Sequence, residues 1–144
     1  MREKVEQVNF VTTAVGGSMI CRIWHGWTTP ANADAYEHLL REEVFRGIAG
    51  RNIAGYHGIE LLRRNVGDEV EFQTMMWFES LDAVRTFAGA EYDQAVVPPA
   101  ARALLAHFDG RSAHYDVRIP REVPSPLSAR RTAPAVHGRF RTDR

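Results

Sequence analysis

Apolar and polar residues follow two periods along this chain. Met19 to Thr28 and Val70 to Phe78 read as strands, rich in β-branched and aromatic residues. Each puts large apolar side chains on both of its faces. Ile20 and Trp24 stand against Met19, Ile23 and Trp27; Phe72, Met76 and Phe78 stand against Met75 and Trp77. Between the two strands, Tyr36, Leu39, Leu40, Val44 and Ile48 recur at helical spacing. Thr29 is placed to cap this helix, with Pro30 at its first position. The helix is expected over Ala31–Phe45, with Gly47, Gly50 and Gly55 in the loop that follows. A second strand is expected from about Gly58 to Asn65, turning back through Gly67-Asp68 as a hairpin.

After the third strand, Ser80 is an N-cap and Asp82 sits in the first turn, where the helix dipole favours an anion. Leu81, Val84, Phe87 and Ala88 make one apolar face, and Gly89 supplies a left-handed stop. Pro98-Pro99 opens another helix, expected over Ala100–Phe108 with Ala101, Leu104, Leu105 and Phe108 inward; Asp109-Gly110 ends it. A last strand is expected over Ser112–Ile119. The order βαββααβ is the split βαβ pattern of an α+β, ferredoxin-like fold with a four-stranded antiparallel sheet. Helices cover one face of such a sheet. The apolar content of the second face calls for a cover, and a second copy of the sheet is the simplest one.

Composition adds boundaries. With 144 residues, 44% hydrophobic and 25% charged, the chain has the size and make-up of one globular domain. No apolar run approaches the roughly 18 residues of a membrane span. Residues 1–7 are mostly charged or polar with no apolar signal core behind them, so a cytoplasmic protein is expected. The single cysteine, Cys21, forms no intrachain disulfide. The net charge of zero conceals a gradient. Residues 118–144 hold seven arginines against Glu122 and Asp143, a net +5, so residues 1–117 carry −5. Three parts follow: an N-terminal extension, 1–18, with a possible extra strand over Val8–Val15; a compact domain, 19–118; and a basic, proline-rich tail, 119–144, expected to be extended. Such a tail can lie on a partner subunit or an acidic surface; nucleic acid is not the expected partner.

Met19-Ile20-Cys21-Arg22-Ile23-Trp24, the strand end Phe78-Glu79-Ser80 with Phe87-Ala88-Gly89 after it, and the closing His114-Tyr115-Asp116-Val117 together resemble the antibiotic biosynthesis monooxygenase superfamily. The resemblance covers roughly residues 19–118. It implies a dimeric α+β barrel, a homodimer in which each subunit keeps a small-molecule pocket between its helices and sheet. Known activities of that family include cofactor-independent oxygenation of aromatic polyketides and oxidative haem degradation. The haem-degrading branch uses an asparagine, a tryptophan and a histidine. The matching positions here are Trp24, Phe78 and the neighbourhood of Ala95 or Val96, and none agrees.

No strong catalytic motif stands in the chain: no metal-ligand cluster, nucleophile elbow or phosphate loop. Individual residues remain. The resemblance turns Phe78 and Trp24 toward the pocket, and strand alternation puts Arg22 beside Trp24. Arg22 then stabilises an anion or forms a structural ion pair. Trp24 stacks on an aromatic substrate or packs the core. His114, near Ser112 and Asp116, is the candidate acid–base group. His57 suits a pocket rim, Tyr92 the pocket mouth, and Thr74 a hydrogen bond to substrate. His25 is assigned to the dimer face, and His38, His107 and His137 to solvent. No metal and no cofactor is expected. The leading function is a cofactor-independent monooxygenase, or a related small-molecule enzyme, acting on an aromatic metabolite. A non-catalytic ligand-binding barrel and a haem-binding protein are the alternatives.

Overall fold

The computed structural model describes residues 19–122. The expected strand over Val8–Val15 and the tail beyond Glu122 lie outside the described residues. Strand β1 (Ile20–Thr28) leads into α1 (Pro30–Leu39), a π-helical turn (Leu40–Val44) and α2 (Phe45–Gly50). The hairpin β2 (Tyr56–Val66) and β3 (Glu69–Phe78) follows, then α3 (Leu81–Ala88), α4 (Pro99–Leu104), β4 (His107–Phe108) and β5 (Ala113–Asp116). The antiparallel sheet runs β2-β3-β1-β4, with β5 also on β1. This is the ferredoxin-like order.

Three boundaries differ from expectation. The first helix runs on through Gly47 and Gly50, because both glycines keep helical dihedrals; the chain turns out at Asn52 (φ 50°) and Gly55 (φ 87°). A Cβ at Gly55 would sit 3.0 Å from that of Ala83, so glycine also permits the close pass that lets Glu79 N–H donate to its carbonyl at 2.8 Å. The last helix stops at Leu104 rather than Phe108. Ala106 N–H donates to the Trp27 carbonyl at 2.7 Å, and His107 and Phe108 then pair with Trp27 and Gly26. A sheet edge with open hydrogen-bonding groups captures the chain where helical periodicity would have carried it on.

The expected fourth strand, Ser112–Ile119, is β5 and ends at Asp116 rather than Ile119, and β4 is an additional short strand on the same edge of β1. Asp109 to Ser112 bulge out between them, opposite Trp24 and His25. The bulge is tied to the segment before α4: Ser112 N–H donates to Asp93 at 2.7 Å, and Ala95 N–H donates to Gly110 at 2.9 Å.

The helices among the described residues all lie over one face. Under α3, Ile20, Met76, Phe78, Val84 and Phe87 form one buried cluster; under α1 and α4, Ala33, Tyr36, Leu40, Val70, Phe72 and Ala101 form a second. The N-caps are as expected, with Thr29 accepting from Asn32 N–H at 3.3 Å and Ser80 from Ala83 N–H at 3.1 Å. The opposite face carries Ile23, His25, Trp27, Met75 and Trp77 half-buried. Trp77 keeps that face because β3 pairs with β1 without a break; the bulge falls in β2 between Tyr56 and Gly58. No helix among the described residues is long and apolar enough to cross a membrane.

Candidate functional site

Arg22 stands on the helix face of β1, directly across the ladder from His114 on β5. It is 3% exposed, and a guanidinium that deep needs acceptors. The segment before α4 supplies them. Nη1 donates to the Tyr92 carbonyl and meets His114 Nε2 at 3.0 Å, and Nη2 donates to the Gln94 carbonyl at 3.1 Å. Among the described residues Arg22 forms no ion pair; Asp93 acts on it only through space. Burial lowers its pKa to about 10, with Asp93 opposing, so the group stays a cation at neutral pH.

The cation settles the state of its neighbour. A guanidinium only donates, so His114 Nε2 accepts and the proton sits on Nδ1. Burial lowers the His114 pKa, and Arg22 lowers it further against the pull of Asp93. His114 is therefore a neutral imidazole at neutral pH. The Tyr92 ring meets it edge-on at 5.2 Å.

A cavity of about 340 Å³ opens on the same side of the sheet, between the first helix and the segment leading into α4. Leu39, Val44, Ile48, Phe87 and Val96 form its apolar wall, with Glu43 and Arg51 the charged groups on it. Val44 and Glu43 belong to the π turn, a local widening of the helix that often marks functional sites. The Phe87 ring joins cavity and cation: the Arg22 guanidinium carbon is 5.4 Å from its centroid and that of Arg51 is 5.6 Å. Both are at cation–π range.

The other expected site residues are distributed around this centre. Phe78 is fully buried behind Phe87, with centroids 5.8 Å apart. Trp24 lies on the face of Arg22, and its indole is held by Phe108 at 6.1 Å and by Nε1–H donation to the Asp109 carbonyl at 2.8 Å. Gly26 makes room for it, since a Cβ there would stand 2.6 Å from the indole. Thr74 pairs with Trp24 across the ladder and is half-buried. His57 is elsewhere. It meets Glu79 at 2.7 Å and lines a separate cavity of about 570 Å³ beside Trp77 and Met19. His25 is on the outer face, 3.7 Å from Glu71 and 3.3 Å from Asp109. His107 is exposed, as expected, and also belongs to the sheet, stacked on Trp27 at 4.6 Å and bonded to Glu69 at 2.9 Å.

Sequence reasoning passed over Arg51, the π turn and the two carbonyls on Arg22. No local pattern distinguishes an arginine after a helix from any solvated arginine, and a backbone carbonyl has no sequence signature. Among the described residues no group of three His, Cys, Asp or Glu side chains is placed to hold a metal ion. None of the residues lining the helix-side cavity carries an imidazole, thiol, thioether or phenol that could ligate a haem iron.

No protein-family model matches the chain, and no curated protein matches it. Solved structures do. A candidate antibiotic biosynthesis monooxygenase from Bacillus cereus aligns at 18% identity over 74% of this chain and 100% of its own, with a TM-score of 0.54. SnoaB, a cofactor-independent oxygenase from Streptomyces nogalater, aligns at 17% identity over 75% and 99%, with a TM-score of 0.46. A monooxygenase from the ActVA-Orf6 gene of Streptomyces coelicolor, solved with nanaomycin D, aligns at 18% identity over 76% and 93%, with a TM-score of 0.44. The chain has the α+β, ferredoxin-like fold of the Bacillus cereus protein. At this identity the likeness carries the fold, and activity has to be argued from the site.

Proposed function

We propose that this chain is a cofactor-independent monooxygenase, or a related small-molecule enzyme, acting on an aromatic metabolite as a cytoplasmic homodimer with one site per subunit. One observation carries the reading: an apolar cavity on a π turn shares the Phe87 ring with a buried cation, Arg22, which in turn meets a neutral imidazole. The volume is at the lower end of small-molecule sites and suits a compact fused-ring ligand. In this reading the Phe87 side chain turns aside as the ligand enters. A phenolic oxygen then replaces His114 on Arg22, His114 Nε2 takes the proton, and Arg22 holds the oxyanion. Tyr92 meets His114 edge-on, Phe78 backs Phe87, and Trp24 and Thr74 continue the same sheet face without lining the cavity.

The electrons come from the substrate. The anion passes one electron to dioxygen, the resulting radicals join at a ring carbon that bears hydrogen, His114 returns its proton to the peroxide, and the hydroperoxide loses water with that carbon's hydrogen to leave a carbonyl. One oxygen atom enters the product and the other leaves as water, so no external reductant is consumed. The half-buried Ile23, Trp27, Met75 and Trp77 on the outer face support the dimer.

A second reading, a barrel that binds without turnover, draws on one fact: protein groups already occupy both terminal nitrogens of Arg22 and the His114 lone pair. Oxygen uptake with dithranol, a dihydroxyanthrone, separates the two. The enzyme reading expects uptake above the spontaneous rate and one atom of labelled dioxygen per product. It also expects kcat to fall about 10²–10⁴-fold in His114→Phe and about 10²–10³-fold in Arg22→Gln. Tight binding with only the spontaneous rate would establish the non-catalytic reading.

A further inference from the structure

The helix-side cavity has one fixed cation on its wall. Arg51 follows α2, and its guanidinium is anchored at two points on the end of α3: Nη1 donates to the Phe87 carbonyl at 3.2 Å and Nη2 to the Thr86 carbonyl at 3.0 Å. The same guanidinium lies over the Phe87 ring. Among the described residues it pairs with no carboxylate, whereas Arg41, Arg46, Arg63, Arg64, Arg85 and Arg111 each have one. Its backbone bonds occupy only two of the five N–H groups a guanidinium carries. The result is a positioned cation with open donors beside an aromatic ring and an apolar wall.

We infer that this cavity takes an aromatic carboxylate, with the ring of the ligand against the apolar wall of Leu39, Val44 and Val96 and its carboxylate on Arg51. The inference rests on the cavity being the ligand site of the proposed function, but not on turnover. An anchored guanidinium has already lost the rotamer freedom that binding would otherwise cost, and it matches a carboxylate with two parallel donors. Neutral aromatics can use the same wall but leave Arg51 without an anion. Glu43, the acid on the same cavity, opposes a negative ligand and limits the preference; its removal therefore tightens carboxylate binding.

The test is calorimetric titration of the full chain at low ionic strength with 2-naphthoate and its neutral isostere 2-naphthamide. The wild type is expected to prefer the carboxylate by at least about tenfold. Arg51→Gln should bring the two ligands to within about twofold by weakening only the carboxylate, and Glu43→Gln should strengthen carboxylate binding severalfold. Arg51→Lys, which keeps the charge but lacks the planar pair of donors, should fall between. If Arg51→Gln proves unfolded by circular dichroism, the Glu43→Gln and Arg51→Lys titrations decide. Equal affinity of the wild type for both ligands would overturn the inference, as would an unchanged preference in the arginine variants or no binding of either ligand. Carboxylate preference without oxygen uptake would leave this inference standing and remove the oxygenase.

Discussion

The two faces of the sheet handle charge in opposite ways. Under the helices, the one deeply buried charge among the described residues, Arg22, is met by two carbonyls and a neutral histidine. On the outer face, histidines meet carboxylates: His107 bonds Glu69 at 2.9 Å, and His25 lies 3.7 Å from Glu71, which also binds Arg64 at 2.7 Å. Burial explains the difference. A low-dielectric interior disfavours extra charge, so the helix side satisfies its cation with dipoles and keeps its imidazole neutral. The outer face differs within itself: Glu71 is buried and is met by the Arg64 guanidinium, whereas His107 and Glu69 sit half-exposed, where water keeps such a contact worth little stability. The helix face holds the groups on which the proposed chemistry rests, and the outer face the half-buried indoles on which the proposed dimer rests.

The strongest way to break the comparison uses adjacent residues of β3. Phe78 is fully buried against Tyr56 and Phe87, whereas Trp77 is half-buried on the outer face. Phe78→Ala should cost about 3–5 kcal/mol in urea unfolding. Trp77→Glu should leave a folded monomer and abolish self-association in sedimentation velocity. An equal loss of folding stability in both variants would mean that the outer face is an ordinary core surface. A wild-type chain that stays monomeric at micromolar concentrations would remove the dimer.

A smaller effect comes from His114. Its folded pKa lies below the ordinary value of 6.5, so the unfolded chain binds the proton first as pH falls. Its contribution to stability is complete above about pH 6.5 and is lost on acidification toward the folded pKa, with a slope of at most about 1.4 kcal/mol per pH unit for one proton. Unfolding midpoints between pH 7.5 and 5.0 should fall less steeply in His114→Phe than in the wild type. Identical pH profiles would take the histidine out of the buried pair. The smallest effect is expected where both faces are far away: Arg41→Ala removes an exposed Glu37 pair and should cost about 0.3–0.5 kcal/mol, less at high salt.

Much of this fold was legible in the chain because its signals are local. Ser80 and Thr29 cap where spacing placed them, and alternation put Arg22 and Trp24 on one face and Trp27 on the other. Boundaries failed where a long-range partner intervened. Phe108 continues a helical apolar period, yet open sheet groups at Gly26 and Trp27 drew it into β4. The same bulged edge sets the carbonyls of Tyr92 and Gln94 over Arg22.

By itself the sequence determined the order of elements, their caps and the two apolar faces, all of which follow from periods of two and about four residues. The sequence pointed to Arg22 and His114 as members of one site, but only the tertiary structure decided that they touch directly, 92 positions apart, and that Arg51 reaches back to the end of α3 over Phe87. Those contacts depend on how strand edges and helix ends come together. A guanidinium carries the same charge in any sequence, and its role is set by the acceptors and rings that packing brings around it.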